Sequence, residues 1–175
     1  MNQLLMARRG FLAGSAALAA CPRSGLAAAE AARGGVLRIA VDQAAGVLNP
    51  LLTRVNPEYL VAELLYSGLT RLNEAMAAEP DLATSWSANA DLTEWTFSLR
   101  PNLVFHDGSL CTAKDVAASF AVMLDPKMAS PARTNIGPIA GVEAKDSGTV
   151  VFHLKSPYAD LPVALAYTNA RIIPA

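Results

Sequence analysis

Apolar and polar residues follow distinct spacings along the chain, and each spacing predicts a different element. Residues 36–41 form a short, mostly apolar run of β-favouring residues, which predicts a buried strand. The following stretch, 42–56, is rich in Gly, Asn and Pro and predicts a loop. A helix is predicted to begin at Pro57, because proline suits the first turn, and to stop at Gly68. The predicted apolar face of this helix consists of Leu60, Val61, Leu64 and Leu65.

In the middle of the chain the spacing of apolar residues changes to two. Within residues 94–100, the side chains of Trp95, Phe97 and Leu99 fall on one face and polar side chains fall on the other. This alternation predicts a half-buried strand. A shorter strand is predicted at 69–72, directly after the first helix.

A second amphipathic helix is predicted from Thr112 to Asp125. The Thr112 hydroxyl can accept a hydrogen bond from the backbone N–H of Asp115, whose carboxylate lies at the positive end of the helix dipole. Beyond this helix, two β-favouring runs flank a turn and predict a hairpin over 142–154, and a last helix is predicted at 160–167. The apolar face of the second helix consists of Val116, Phe120, Met123 and Leu124.

The first 29 residues have the pattern of an export signal. Two adjacent arginines precede an uncharged run at 10–20, and small residues at 27–29 offer a cleavage site. The uncharged run is shorter than the roughly 20 apolar residues that span a bilayer. The segment Arg-Arg-Gly-Phe-Leu at 8–12 resembles the twin-arginine export signal, and an ordinary Sec signal with two arginines is the alternative. Both signals export the protein, so we expect residues 1–29 to be an export signal and the protein to be periplasmic.

A second processing site competes with the cleavage site. The segment Leu-Ala-Ala-Cys ending at Cys21 resembles a lipoprotein box, in which Cys21 would become the lipidated first residue, although Pro22 directly after it is unfavourable. Lipidation at Cys21 would anchor the protein to the membrane without changing its binding chemistry. The only other cysteine is Cys111, so no internal disulfide is expected once the N-terminal segment is removed or modified.

Composition and charge exclude two classes of protein. The chain has 175 residues, of which 53% are hydrophobic and 17% charged, which predicts one globular domain and excludes a disordered chain. After residue 29 the chain has eleven basic and fifteen acidic residues, so this part carries a net negative charge. We therefore expect no nucleic-acid partner, because that partner requires a concentrated basic face.

Four motifs follow one another in close order: a Leu-Ala-Thr-Ser-Trp strand at 82–86, an aromatic strand ending Leu-Arg at 95–100, a Phe-His-Asp-Gly turn at 105–108 and a helix opening Thr-Ala-Lys-Asp-Val at 112–116. This set resembles the extracellular solute-binding proteins of family 5, which include dipeptide, oligopeptide and nickel binders. A single Asp-Gly turn carries no information, whereas the ordered set is specific.

The resemblance implies an α/β (α+β) fold that is similar to a type II periplasmic binding protein. Residues 30–62 are expected to begin the first lobe, 63–168 to form a small β-rich α/β subdomain, and 169–175 to return to the first lobe. Family members are several times longer, so we expect a truncated chain with a partial first lobe and without the second lobe.

The resemblance also implies a function. It implies a periplasmic substrate-binding component of an ABC importer, which binds peptides or similar small solutes and delivers them to the permease subunits in the inner membrane. Such a protein is expected to be a monomer without a cofactor. The alternatives are a truncated, non-functional fragment of such a protein and a secreted hydrolase.

The expected ligand-binding residues lie in the loop after the first predicted strand, because loops at strand ends line the cleft of two-lobed binding folds. They are Gln43, Gly46 and Asn49, although a Gly- and Asn-rich loop also fits a plain turn. Trp86 and Trp95 are expected to be core aromatics of the subdomain.

The sequence gives catalysis little support. His106, Asp107 and Ser109 are the residues that a hydrolase would use, but the resemblance places His106 and Asp107 in a structural turn, where Asp107 can accept backbone N–H groups. The two histidines, His106 and His153, and the one retained cysteine lie far apart and give no zinc pattern. We therefore expect no catalytic residue and no metal site.

Overall fold

The computed structural model describes residues 34–175. The predicted export signal, its cleavage site and Cys21 lie outside the described residues. Contacts divide the chain after Ile39, and the unit Ala40–Ala175 contains the helices and strands described below. Within residues 34–175, no helix has both the length and the apolar character needed to cross a membrane.

This unit combines short helices with antiparallel strands, which confirms the predicted mixed α/β class. In chain order they are α1 (Asn56–Leu65), β1 (Thr70–Leu72), β2 (Ala78–Pro80), β3 (Ala83–Ala88), β4 (Glu94–Leu99), α2 (Ala113–Leu124), a 3-10 turn (Pro126–Met128), α3 (Ala132–Asn135), β5 (Ile139–Ala144), β6 (Thr149–Leu154) and α4 (Leu161–Ala164).

A four-stranded antiparallel sheet in the order β3-β4-β6-β5 forms the centre of the unit, and β1 and β2 form a separate pair. The predicted alternation in β4 is confirmed, since Trp95, Phe97 and Leu99 are buried. The rings of Phe97 and Phe152 lie 5.3 Å apart across β4 and β6, and Phe120 of α2 packs edge-on against Phe152 at 4.9 Å. Helix α2 therefore covers one face of the sheet with an aromatic core.

The predicted capping box begins α2. Asp115 accepts hydrogen bonds from the backbone N–H of Thr112 at 2.8 Å and from its hydroxyl at 2.9 Å, and the Thr112 hydroxyl accepts from the N–H of Lys114. Burial raises the pKa of Asp115, but the hydrogen bonds from Thr112 outweigh it and leave the pKa below its usual value. The box satisfies N–H groups that the first turn cannot bond internally.

The predicted strand at 36–41 is wrong. These residues belong to no strand, and Val36 is 84% exposed. An extended segment becomes a strand only when a neighbour supplies partners for its N–H and C=O groups. All strand pairs among the described residues form between elements from Thr70 onward.

The predicted apolar face of α1 is also wrong. Leu60, Leu64 and Leu65 are exposed, Leu64 by 73%, whereas the helix buries Glu58 and Ala62. Periodicity places the leucines on one face, but burial depends on which face has a neighbour. The opposite face of α1 meets the preceding loop, and the buried Glu58 carboxylate makes that contact possible.

Three predictions differ in extent. Helix α1 ends at Leu65, before the predicted stop at Gly68, and the last helix is limited to Leu161–Ala164 within the predicted 160–167. The hairpin predicted over 142–154 is confirmed by β5 and β6, although β5 begins earlier, at Ile139.

Candidate functional site

The loop that precedes α1 is organised around one buried carboxylate. Glu58 is only 6% exposed, and its two oxygens accept hydrogen bonds from the backbone N–H of Val47 at 3.0 Å and of Arg54 at 2.8 Å. Gly46 lies close to the same carboxylate, since a Cβ at Gly46 would lie 3.5 Å from Glu58 Oε1. Glu58 therefore joins the two arms of the loop that the sequence predicts to bind the ligand.

The hydrogen bond from the Arg54 N–H holds the pKa of Glu58 below its usual value, with further help from the N–H groups of Val55 and Val47. These bonds favour the ionised carboxylate, and they outweigh the opposing effect of burial. The ionised form of Glu58 is therefore part of the folded loop.

Acid is expected to loosen this loop. Because the folded pKa of Glu58 is lower than the unfolded value of 4.5, its contribution is fully present above about pH 4.5 and is lost as the pH falls through the folded pKa. Amide NMR shifts of Val47 and Arg54 should therefore titrate together with a midpoint below 4.5. Glu58→Gln should show the loosened shifts at neutral pH and no titration.

The exposed Glu74 provides the matched control for this titration. Glu74→Gln should retain the native loop shifts and their acid titration. If the loop amides of Glu58→Gln titrated as they do in the wild type, the role assigned to this carboxylate would be contradicted.

A tight turn follows inside the same loop. The Asn49 side-chain oxygen accepts from the N–H of Leu51 at 3.0 Å, its backbone oxygen accepts from Leu52, and the Thr53 hydroxyl donates to the carbonyl of Pro50 at 3.1 Å. Leu51 is fully buried in the core. The Asn49 side chain thus shapes the turn, as asparagine does in Asx turns.

A distant segment lies beside this turn. The Ser130 hydroxyl donates to the carbonyl of Leu51 at 2.6 Å, and Arg54 Nη2 donates to the carbonyl of Ala129 at 2.7 Å. Ala129 has a left-handed backbone with φ of 48°. The candidate site therefore includes the connection between α2 and α3 as well as the loop before α1.

The structure places the three predicted ligand residues differently. Gly46 and Asn49 belong to the ordered parts of the loop, whereas Gln43 is exposed and forms none of the side-chain hydrogen bonds found among residues 34–175. Whether these residues bind a solute stays a prediction.

Sequence reasoning missed Arg54, Glu58 and Ser130. The position of Glu58 after proline in a first helical turn does suggest a role for this acid. It predicts a solvated carboxylate that interacts with the helix dipole, however, and not a buried one. Nothing local indicates that Ser130 contacts Leu51, since 79 residues separate them.

The residues that a hydrolase would use form a turn. The Ser109 hydroxyl donates to Asp107 Oδ1 at 2.7 Å, and the Ser109 N–H donates to the same oxygen at 2.9 Å. The Ser109 hydroxyl bond lowers the pKa of Asp107 most. The bond from the Ser109 N–H matches the turn role that the sequence predicts, in which Asp107 accepts a backbone N–H.

A cavity of about 300 Å³ lies beside this turn, with Leu82, Phe105, His106, Cys111 and Ile172 among its lining residues. Burial, together with the nearby Asp115 carboxylate, raises the pKa of the Cys111 thiol to about 11. At neutral pH the thiol is therefore protonated and a poor nucleophile. Within residues 34–175, no cluster of three or more His, Cys, Asp or Glu residues fits a metal ion.

Known proteins resemble the chain over most of the described unit. The family model "Bacterial extracellular solute-binding proteins, family 5 Middle" matches residues 77–174. The "Probable D,D-dipeptide-binding periplasmic protein DdpA" of Escherichia coli (strain K12) is 35% identical over 135 residues, which cover 72% of this chain and 25% of DdpA. The chain thus spans about a quarter of the length of this relative.

Solved structures give the same result. The binding protein AgaA in complex with agropinic acid, from A. tumefacien R10, matches with a TM-score of 0.69 and 30% identity over 74% of this chain and 26% of AgaA. NikZ from Campylobacter jejuni in complex with Ni(L-His) matches with a TM-score of 0.68 and 30% identity over 77% of this chain and 26% of NikZ. These matches confirm the predicted partial lobe of a periplasmic binding protein fold.

Proposed function

The chain belongs to the bacterial extracellular solute-binding proteins of family 5, and from this membership we propose that it acts in the substrate-binding component of an ABC importer. The match over residues 77–174 carries the proposal. The solute is a peptide or a similar small molecule. Three related proteins support this breadth. DdpA is named as a probable D,D-dipeptide-binding protein, AgaA was solved in complex with agropinic acid, and NikZ was solved in complex with Ni(L-His).

The proposed protein works in the periplasm as a monomer and passes its solute to permease subunits in the inner membrane. The arginine pair and uncharged run within residues 1–29 support export, and related proteins are named as periplasmic. We assign the protein no catalytic step, because Asp107 and Ser109 are used in a turn.

The proposed lobe boundaries lie close to a place where two distant segments of the chain pair with each other. Ile172 donates its N–H to the carbonyl of Ser67 at 3.0 Å, and Gly68 forms an antiparallel bridge with Arg171. This pairing supports the proposal that 63–168 form the subdomain and that 30–62 and 169–175 belong to the first lobe. The exposed leucines of α1 fit this assignment, because the remainder of a first lobe would cover them.

The proposed solute contacts are Gln43, Gly46 and Asn49. Their loop is exposed, and the bonds to Glu58 and within the turn at 49–53 order the loop from Val47 onward. A loop ordered before binding loses less conformational entropy when the solute arrives. Gln43 is the best single test, since its side chain has no structural hydrogen bond in the described part of the chain.

The experiment is thermal unfolding of the exported protein with a defined set of tripeptides and amino-acid chelates. A solute that binds should raise the free energy of unfolding of the protein by about 2.7 kcal/mol when its free concentration is a hundred times Kd. Gln43→Ala should unfold like the wild type without solute and lose most of the solute-induced shift, whereas the exposed control Glu74→Ala should keep it. If no solute shifts unfolding, the proposal fails.

A further inference from the structure

Asn169 is a buried polar residue far along the chain from the loop that it contacts. Its side chain is fully buried, and Nδ2 lies 2.7 Å from the carbonyl oxygen of Pro50, 3.1 Å from that of Thr53 and 2.7 Å from Thr53 Oγ1. The Pro50 and Asn169 positions are 119 residues apart. The two N–H groups of this amide thus face three acceptors in a single turn, so two of the acceptors share one N–H.

The chemistry of these acceptors fixes the orientation of the Asn169 amide. Carbonyl oxygens only accept hydrogen bonds, so the NH₂ group of Asn169 must face Pro50 and Thr53. The Thr53 hydroxyl donates its own proton to the Pro50 carbonyl and therefore accepts from Asn169. The Asn169 oxygen is buried without a partner among residues 34–175. Burying an unpaired oxygen costs free energy, and the contacts of the Asn169 NH₂ group must offset this cost.

The turn held by Asn169 continues directly into the candidate site. Thr53 precedes Arg54, whose N–H donates to Glu58 and whose guanidinium donates to Ala129. On its other side, Asn169 adjoins the segment in which Arg171 and Ile172 pair with Gly68 and Ser67. Asn169 therefore connects the loop before α1 with the place where the chain leaves the subdomain.

We propose that Asn169 is a positioning residue that holds the turn at 49–53, and through it the solute-binding loop, in its binding conformation. The effect on solute affinity rests on the proposed function, whereas the effect on the turn does not. Only a neutral donor of this size satisfies the site, because a carboxylate would face two carbonyl oxygens.

The test is hydrogen exchange of the exported protein, measured by NMR amide by amide. In Asn169→Asp, the amides of Leu51, Leu52 and Arg54 should exchange about tenfold faster or more, the factor expected from losing one buried hydrogen bond. The amides of β4 and β6 should exchange as in the wild type and report that the sheet stays folded. Asn102→Asp adds the same charge at an exposed left-handed position and should change neither set.

Thr53→Val is the second variant, since it removes the hydroxyl that accepts from Asn169, together with its hydrogen bond to Pro50, without adding a buried charge. It should accelerate the same turn amides by a smaller factor and remain interpretable if Asn169→Asp unfolds. Wild-type exchange at Leu51, Leu52 and Arg54 in Thr53→Val and in a folded Asn169→Asp would overturn the inference.

The solute readout separates this inference from the proposed function. With the tripeptide and chelate set, Asn169→Asp should weaken binding by tenfold or more, and Asn102→Asp should not. If the turn loosens but affinity is unchanged, Asn169 does not position the binding loop. If the wild type binds no solute while the turn amides respond as expected, the proposed function fails and the structural role of Asn169 stands.

Discussion

Phe152→Ala is expected to destabilise the protein by about 3–5 kcal/mol, the range for removing a fully buried aromatic side chain. Phe152 is completely buried and contacts Phe97 and Phe120 edge-on, at 5.3 and 4.9 Å between ring centroids. Its loss opens a cavity at the point where α2 meets the sheet, and the two aromatic pairs add to the cost. Urea unfolding followed by tryptophan fluorescence measures the change.

The matched control is Leu110→Ala, because Leu110 is apolar but 68% exposed. Its free energy of unfolding should change by no more than about 0.5 kcal/mol. Similar losses in the two variants would show that the sheet and α2 do not form the core described here.

Glu63→Gln is expected to lower the free energy of unfolding by about 2–3 kcal/mol, less than for a fully buried ion pair because Glu63 is partly solvated. Arg171 is 3% exposed, its Nη2 donates to the Glu63 carboxylate, and its Nε has no hydrogen-bond partner among residues 34–175. Neutralising Glu63 leaves a buried guanidinium without its counter-charge. The same urea titration measures this loss.

Arg171→Met is the informative comparison. It removes the buried charge and keeps an apolar stem of similar length, so it should cost less than Glu63→Gln. A larger loss in Arg171→Met would mean that the guanidinium contributes mainly through contacts other than Glu63, such as its close approach to Gly68.

Local patterns predicted β4 and the start of α2 well. The alternation of Trp95, Phe97 and Leu99 gave β4, because one face of an antiparallel sheet is buried and the other is not. The capping box of Thr112 and Asp115 gave the start of α2, because its hydrogen bonds join residues three apart. In both cases the determining contacts lie within or beside the element.

The sequence could not predict features that depend on distant partners. Residues 36–41 have strand character, but strand formation needs a neighbouring edge. The leucines of α1 follow helical periodicity, but periodicity does not say that the face with Glu58 is the one covered. The loop before α1 is held by Ser130 and Asn169, and no pattern of spacing connects residues so far apart. Candidate site residues in the loop could be named, while those that order the loop could not.

The proposed function is the binding of a small solute in the periplasm. Native mass spectrometry of the protein purified from the periplasm of its host tests it most directly. The account predicts a species heavier than the protein by the mass of one small solute, which disappears under denaturing conditions and returns when the tripeptide and chelate set is added. A protein that is retained in the cytoplasm, or one that has the same mass in native and denaturing spectra and gains no solute from the set, would contradict the account.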